Sequence, residues 1–406
     1  MSYPELTMAF RAVELHALEN NRYALYSNGK VLYIGHILYH IIRDLQKGVS
    51  LSGIRENVRA QYGAELEEQR IATILKQDIL DKIYDQDGNG TGASQYIRGR
   101  IRLLGTEQIN RWAQTGKHLF STSLMIPLML VGGIATFSFL FYLIFHQWFA
   151  GGTVTIKDSL YFIVGSYAFV AIVGVLHEMG HASAAARFNM PTKEIGLGFY
   201  LVFPVFFADV TKIWLLDKKK RVMVNCGGIY FQLIINLVLL AIYALVQHHS
   251  LFSIVVKAFF VTNTLMCLYA TNPFLRNDGY WLYSDGFDLP NLTAQARAYP
   301  KYFYHRYLQG EDTGNNTPFK KEIPLFAYSL LYFCIMAALM FALTRLTIKN
   351  YHDISGLLYK RPEGEMFEVV RHYLKVFFAA GINLFFLYNL TTSVITRTKK
   401  YLNQNL

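Results

Sequence analysis

Long apolar runs constrain this chain more than any other feature of its sequence. Several of them reach the roughly 18 to 20 residues that a helix needs to cross a bilayer. With 53 % hydrophobic residues, the composition is too apolar for an ordinary soluble protein of 406 residues. We therefore predict about six transmembrane helices. The predicted spans are residues 121–145, 160–185, 222–247, 251–271, 323–346 and 372–395.

The charge pattern gives an expected orientation. The formal net charge is +11, but no block of Lys and Arg alternates with aromatic residues as in a nucleic-acid groove. We expect contact with lipid headgroups and no nucleic-acid partner. Lys and Arg cluster at 98–117, 187–221, 276–321 and 397–400. If the N-terminus is cytoplasmic and there are six spans, all four clusters lie in the cytoplasm. Basic residues after the fifth span break this pattern. A bacterial inner membrane is the expected location.

Composition divides the chain into three parts. Residues 1–104 are polar and mixed, as in a small soluble α+β domain. A basic linker, 105–120, leads to a membrane domain, 121–406. Within the latter, residues 195–208 are apolar, contain Gly and Pro, and are too short to span, so we interpret them as a re-entrant or interfacial segment. The expected fold class is mainly α: a polytopic membrane protein preceded by a small soluble domain.

A His-Glu-x-x-His motif lies near the C-terminal end of the second predicted span. Residues four apart share one face of a helix, so His177 and His181 could bind one zinc ion. Glu178, beside them, could take a proton from a water at the metal. The alternative is two interior histidines that hydrogen-bond to a buried acid. Ionisable residues at membrane depth are costly and usually functional, which weakens that alternative.

A zinc site of this kind needs a third protein ligand. Asp278 is the best candidate, because it follows the fourth span at a turn that contains Pro273 and Gly279, and such backbone at membrane depth normally lines a cavity. An aspartate with two imidazoles leaves a fourth position for water, as in a catalytic site. We expect one zinc ion per chain. The other aspartates that stay open as ligands are Asp209, Asp285 and Asp288.

Together the two motifs resemble those of the site-2 protease family of intramembrane zinc metalloproteases, over about residues 120–290. The family's second segment reads Asn-Pro-x-Pro-x-x-Asp-Gly. This chain lacks its second proline and is similar to the Asn-Pro-Phe-Leu-x-x-Asp-Gly-Tyr form of the branch described as peptide zinc metalloproteases. The matching residues are His177, Glu178, His181, Asn272, Pro273, Asp278 and Gly279.

The resemblance implies an intramembrane zinc endopeptidase in which Glu178 is the general base and His177, His181 and Asp278 hold the zinc. Asn272 would hold the substrate backbone, since a side-chain amide can pair with both peptide N–H and C=O. Asn236, on the third span, is a weaker candidate for substrate binding, and helix–helix hydrogen bonding is the equal alternative. The substrate is expected to be a peptide or a membrane protein that must be extended before cleavage.

The soluble domain has a recognisable order of elements. Asn28 and Gly29 form a strong hairpin turn signal between two short strands. The expected strands are 23–26 and 31–33, and the expected helices are 36–46, 52–62, which Ser52 could cap, and 65–82.

This order resembles the small winged-helix, PqqD-like domains that recognise leader peptides of ribosomally made peptides. The resemblance implies that a leader peptide adds as a strand to residues 22–34. The expected function is then cleavage of a ribosomally made peptide during its maturation or export. Two alternatives stay open: a non-catalytic membrane component that binds or exports peptides, and a protease that releases a membrane-tethered regulator.

Overall fold

The computed structural model is mainly helical. It describes residues 3–18, 22–28, 30–84, 97–146, 156–200, 203–247, 250–310 and 319–359, and single residues beyond 359. The described residues group into two compact units, one within Met1–Pro290 and one within Asn291–Leu406.

The N-terminal part is a three-stranded antiparallel sheet in the order β1-β2-β3, accompanied by helices around an apolar core. The hairpin and the helix at 36–46 are confirmed, whereas a first helix and strand were not predicted. Ser50 rather than Ser52 caps the next helix, by accepting the Gly53 N–H. The winged-helix description stays a prediction. The elements are α1 (Tyr3–Arg11), β1 (Glu14–Leu18), β2 (Arg22–Ser27), β3 (Lys30–Ile34), α2 (His36–Gln46), α3 (Leu51–Tyr62), α4 (Glu68–Thr73), a π-helical segment (Ile74–Leu80) and α5 (Asp81–Tyr84).

A second antiparallel sheet joins distant parts of the chain. Its strands are β4 (Ile97–Gly105), β5 (Glu194–Tyr200) and β6 (Phe203–Ala208), in the order β4-β5-β6. The described residues of the short apolar segment 195–208 thus belong to the paired strands β5 and β6, and the segment's entry into the membrane stays a prediction. The basic linker forms α6 (Thr106–Gly116) and a 3-10 turn. Because β4 ends the predicted soluble domain yet pairs with β5, the domain limits also stay predictions.

Within the described residues, five helical stretches are long and apolar enough to cross a membrane. They are Thr122–Phe145, Val164–Arg187, Lys218–Val246, Phe252–Ala270 and Glu322–Ala342. The helices that contain them are α7 (Thr122–Phe145), α8 (Ile156–Arg187), α9 (Lys218–Asn225) with α10 (Gly227–Val246), α11 (Ser250–Ala270) and α14 (Phe319–Tyr359). These correspond to the first five predicted spans. The sixth, 372–395, falls outside the described residues apart from single positions.

Close helix contacts hold the bundle together where side chains are small. A Cβ at Gly180 of α8 would lie 2.3 Å from the Gly227 carbonyl oxygen of α10, and a Cβ at Gly227 would lie 2.6 Å from the Gly180 oxygen. On the other side of α10, a Cβ at Gly132 of α7 would lie 3.1 Å from Leu233. Such small-residue contacts let helix backbones approach closely in a membrane. They fix α10 between α7 and α8.

The N-terminal sheet packs on the 3-10 helix Thr211–Leu215, which follows β6. Ala24 and Val31 form a buried apolar cluster with Leu215. The Tyr33 hydroxyl donates to the Trp214 carbonyl oxygen at 3.0 Å. The sheet therefore touches the segment that leads from β6 to α9.

The second unit contains α13 (Leu292–Phe303) and α14, which pack on each other. The Ser329 hydroxyl donates to the Ala296 carbonyl oxygen at 2.8 Å. Glu322, buried near the start of α14, accepts a hydrogen bond from the Tyr307 hydroxyl at 2.7 Å. The buried carboxylate is thus paired within its own unit.

Candidate metal centre

Three side chains from two separate helices converge at one point. His177 and His181 lie one turn apart on α8, and Asp278 begins α12 (Asp278–Phe287). Asp278 Oδ2 lies 3.0 Å from His177 Nε2 and 3.3 Å from His181 Nε2, and the two Nε2 atoms are 3.3 Å apart. Among the described residues, this is the group of three whose ligand atoms could hold a metal ion.

The triangle has the dimensions of a zinc site. Zinc bonds of about 2.0–2.2 Å in tetrahedral geometry keep the ligand atoms roughly 3.3–3.5 Å apart. The three separations, 3.0, 3.3 and 3.3 Å, are close to this spacing. Two imidazoles and one carboxylate also suit zinc chemically, and they leave one position for a water. The residues therefore fit a zinc ion.

Hydrogen bonding orients the second imidazole for metal binding. His181 Nδ1 lies 2.8 Å from the Val224 carbonyl oxygen, which can only accept a hydrogen bond. The proton of a neutral His181 ring therefore sits on Nδ1, and the Nε2 lone pair points to the centre of the triangle. Val224 is in α9, immediately before the crossing of α8 with α10. The helix packing thus sets the tautomer of a candidate ligand.

The first imidazole lies against a glycine. A Cβ at Gly228 of α10 would fall 2.4 Å from both Cε1 and Nε2 of His177, a distance that no side chain can keep. The absence of a side chain at 228 therefore creates the space that the His177 ring occupies. Gly227 and Gly228 together let α10 lie directly on the metal-binding face of α8.

Asp278 is placed by the start of α12. A carboxylate is favoured in the first turn of a helix by the helix dipole. Burial raises the pKa of the Asp278 carboxyl, but the neighbouring His181 and His177 imidazoles lower it to a net value below its ordinary one. The ionised carboxylate is also the form that binds a metal. Gly279 is helical rather than in a sharp turn. Its role is space, since a Cβ there would lie 2.0 Å from the Thr271 carbonyl oxygen.

A cavity of about 520 Å³ opens onto the triangle. Glu178 lines it beside the two histidines, and the edge strand β6 forms part of its wall. The β6 strand packs closely on α8, because the Phe206 ring fills the space where a side chain at Gly174 would lie. Much of the remaining wall is aromatic or aliphatic, including Trp214 and Trp281, whose rings meet edge to face at 5.1 Å. The metal-binding atoms and a carboxylate therefore face a largely apolar chamber.

The other three aspartates have different partners. Asp285 is buried and accepts hydrogen bonds from the Arg221 guanidinium at 2.6 and 3.0 Å and from the Asn225 amide at 3.1 Å. Asp209 accepts from the Thr211 hydroxyl at 2.5 Å. Asp288 lies 3.8 Å from Arg22. Of the four candidates left open by the sequence, the structure brings Asp278 to the imidazoles.

The two asparagines do not join this cluster. Asn236 is fully buried between helices, where its amide donates to the Thr136 and Thr264 hydroxyls, both at 3.1 Å, and accepts from Asn263 at 2.7 Å. These contacts favour helix–helix hydrogen bonding. Asn272 accepts the Phe274 N–H at 2.9 Å in a local turn after α11. A substrate-binding role for either residue stays a prediction.

Some residues around the site were missed by sequence reasoning. The pairing of Arg221 with Asp285 joins residues 64 positions apart, and no local sequence pattern predicts it. Gln232 lines the cavity from the third predicted span. A polar residue inside an apolar run was the signal that could have revealed it.

Comparisons with known proteins agree with this geometry. The family profile described as "Peptidase family M50" matches residues 165–391, which contain all three triangle residues. A Bacillus subtilis (strain 168) protein named "Putative peptide zinc metalloprotease protein YydH" is 27 % identical over 124 residues. That alignment covers 30 % of this chain and 46 % of the relative, so the chain spans less than half of the relative's length. No solved structure matches the chain.

Two aspartate variants should separate metal binding from stability. Asp278→Asn removes one ligand, and we expect bound zinc to fall from about one per chain to a small fraction of that. Asp285→Asn should keep its zinc but lower the free energy of unfolding by about 3 kcal/mol, because it leaves the buried Arg221 without its counter-ion. Metal analysis and thermal unfolding of the purified proteins measure the two effects. Asp288→Asn, at a half-exposed position, is the control expected to change neither. Zinc retained in Asp278→Asn would contradict the assignment.

Proposed function

The chain belongs to peptidase family M50, as its resemblance to the site-2 proteases predicted, and we propose that it is a zinc-dependent endopeptidase that cleaves a peptide bond at or within the membrane. The single observation that carries this proposal is the His177, His181 and Asp278 triangle with Glu178 on the same cavity wall. A structural metal site needs no additional carboxylate facing a cavity. This arrangement argues against the non-catalytic binding or export component.

The proposed mechanism assigns one task to each polar group. A zinc ion held by His177, His181 and Asp278 would supply a Lewis acid that polarises the scissile carbonyl and lowers the pKa of a coordinated water to about 7. Glu178 accepts one proton from the attacking water, whose oxygen forms the new bond to the carbonyl carbon. As the C–N bond breaks, Glu178 returns that proton to the departing amine. One water is consumed, and a carboxylic acid and an amine are formed.

The edge strand β6 is the proposed docking site for an extended substrate. Asp209 directs its N–H to Glu194 of β5. Because N–H groups alternate in direction along an antiparallel strand, Phe206 directs its N–H and C=O away from β5, to the open edge of the sheet. Pro204 also lies on this strand, where a missing N–H is tolerated at an edge. A peptide added here would be held extended next to the metal centre.

The proposed substrate is a ribosomally made peptide that is cleaved during its maturation or export. Its leader is proposed to dock on the N-terminal sheet. The β3 strand is at the edge of its sheet, as strand addition requires. An apolar cavity of about 430 Å³ lies beside its C-terminal end, between α2 and the helical residues of α4 and the π-helical segment, and is suited to apolar leader side chains. The lining residues are Gly35, His36, Ile37, Leu38, Ile41, Leu66, Ile71 and Ile74.

The chain is an integral membrane protein, and we propose that it lies in a bacterial inner membrane with its N-terminus in the cytoplasm. Lys- and Arg-rich segments at 98–117 and 187–221 support this orientation, since basic residues near the ends of spans are retained on the cytoplasmic side. The His-Glu-x-x-His motif is close to the second of these segments. The metal centre would then be near the cytoplasmic face, on the same side as the N-terminal sheet.

Glu178→Gln tests the proposed chemistry. The amide cannot accept the proton, so we expect cleavage to fall by about 10²- to 10⁴-fold while zinc content stays at the wild-type level. Mass spectrometry of cells that carry the variant should show an uncleaved peptide precursor that is absent from wild-type cells. If a membrane-tethered regulator accumulates instead, the regulatory protease is the correct alternative. Undiminished cleavage would exclude Glu178 as the base.

Phe206→Pro tests strand addition at β6. Proline removes an N–H that points to the open edge, so the pairing of β6 with β5 should persist. Phe206→Ala is the matched control, because it also loses the ring but keeps the N–H. We expect cleavage by Phe206→Pro to be about fivefold slower than by Phe206→Ala, the effect of one hydrogen bond. Equal rates for the two variants would argue against pairing at this residue.

Ile74→Glu tests the leader-binding cavity. In the Glu178→Gln background, a charge in this apolar cavity should reduce the amount of precursor that co-purifies. Binding of an apolar leader side chain would require the removal of water from the new carboxylate, which costs free energy. Met8→Glu, at an exposed position of the same domain, is the control and should retain the precursor. Quantitative mass spectrometry measures both. Equal retention in the two variants would place the leader elsewhere.

A further inference from the structure

One buried side chain of the cavity is not accounted for by the proposed mechanism. Gln232, on α10, is 1 % exposed, and its Oε1 atom has no hydrogen-bond partner among the described residues. Leaving a buried acceptor unpaired costs free energy, so such a group normally has a partner from solvent or a ligand. Gln232 also lines the cavity that holds the metal triangle.

The position of Gln232 relative to the metal follows from the helix contacts. Gly228 touches the His177 ring, and Gln232 follows it four residues later on the same face of α10. The α10 helix runs antiparallel to α8, because Gly227 meets Gly180 while Gly228 meets His177. Gln232 is therefore one helical turn deeper in the bundle than the metal centre.

The backbone around Gln232 is held firmly. Asn263 of α11 donates to the Gln232 carbonyl oxygen at 2.8 Å and to Asn236 Oδ1 at 2.7 Å. Asn236 in turn donates to Thr136 and Thr264, so three helices share the network. The network uses the main chain of residue 232 and not its side-chain oxygen. The side-chain amide is thereby presented to the cavity on a rigid support.

We propose that Gln232 binds the backbone of the substrate on the membrane-interior side of the scissile bond. An extended peptide presents N–H and C=O groups on two edges, and β6 can pair with only one of them. The Gln232 amide, with an acceptor oxygen and donor hydrogens, can pair with a peptide unit on the second edge. This proposal rests on the peptidase function proposed above and adds a substrate-binding residue to it.

The test uses two probes of the metal centre in the full-length protein substituted with cobalt(II), whose absorption spectrum reports ligand binding. Acetohydroxamate has a metal-binding group but no peptide backbone. An extended tripeptide hydroxamate has the same metal-binding group and a peptide backbone. Gln232→Met keeps the length of the side chain and removes its hydrogen bonds. We expect this variant to bind the tripeptide hydroxamate about tenfold more weakly and to bind acetohydroxamate with unchanged affinity.

Thermal unfolding separates this role from a structural one. Replacing an unpaired buried oxygen by an apolar group should leave the melting temperature unchanged or raise it. Gln232→Glu, which keeps an acceptor oxygen, is the second variant, and its binding of the tripeptide hydroxamate should exceed that of Gln232→Met. Met266→Leu, elsewhere on the cavity wall, is the control and should bind both probes as the wild type does.

Each outcome decides between the proposals. If Gln232→Met binds the tripeptide hydroxamate as the wild type does, then Gln232 pairs with water only, and the inference is wrong while the peptidase proposal stands. If Gln232→Met weakens the binding of both probes equally, with or without a lowered melting temperature, Gln232 has a structural role. If the wild type binds neither probe, the metal-dependent peptidase proposal fails, and this inference fails with it.

Discussion

The close crossing of α8 and α10 is the contact on which the candidate site depends. Gly180 and Gly227 meet backbone to backbone, and Gly228 leaves room for the His177 ring. Lipid supplies no hydrophobic force between helices, so close packing of this kind contributes to their attraction together with interhelical hydrogen bonds. The same crossing places the Val224 carbonyl next to His181. The contact that associates the two helices therefore also orients the imidazoles for metal binding.

Polar groups in this bundle are arranged in two ways. One set pairs across helices: Arg221 with Asp285, and Asn236 with hydroxyls and an amide from neighbouring helices. Removing such groups from water is costly, and pairing offsets that cost. The second set faces the cavity, where His177, Glu178, Asp278 and Gln232 have polar atoms directed at a chamber that a substrate can enter. Groups of the first set support the fold, whereas those of the second set face the cavity and are available for chemistry.

Sequence reasoning succeeded where the signal was local. The spacing of His177 and His181 and the length of five apolar runs depend on residues close together in the chain, and the structure has helices at these places. The Asn28 turn is local in the same sense. Asp278 lies about 100 positions from the histidines, and it was reached by its place after a span and by family resemblance. The pairing of β4 with β5 joins residues that are similarly far apart, and no periodicity predicts such partners.

The apolar stretch 195–208 shows why length alone could not determine its structure. Fourteen residues with internal Gly and Pro are too few to span, and this excluded a helix across the membrane without specifying an alternative. In the structure, β5 is central, and Gly196 and Gly198 make room for the neighbouring strands, because a Cβ at either would lie within 2.6 Å of β4 atoms. With β4 and β6 on its two sides, β5 offers no edge, and β6, whose residues 204–208 line the cavity, is the edge strand at the metal triangle. The basic strand β4, which precedes the first span, thus occupies the far side of β5 and leaves β6 as the edge strand beside the site.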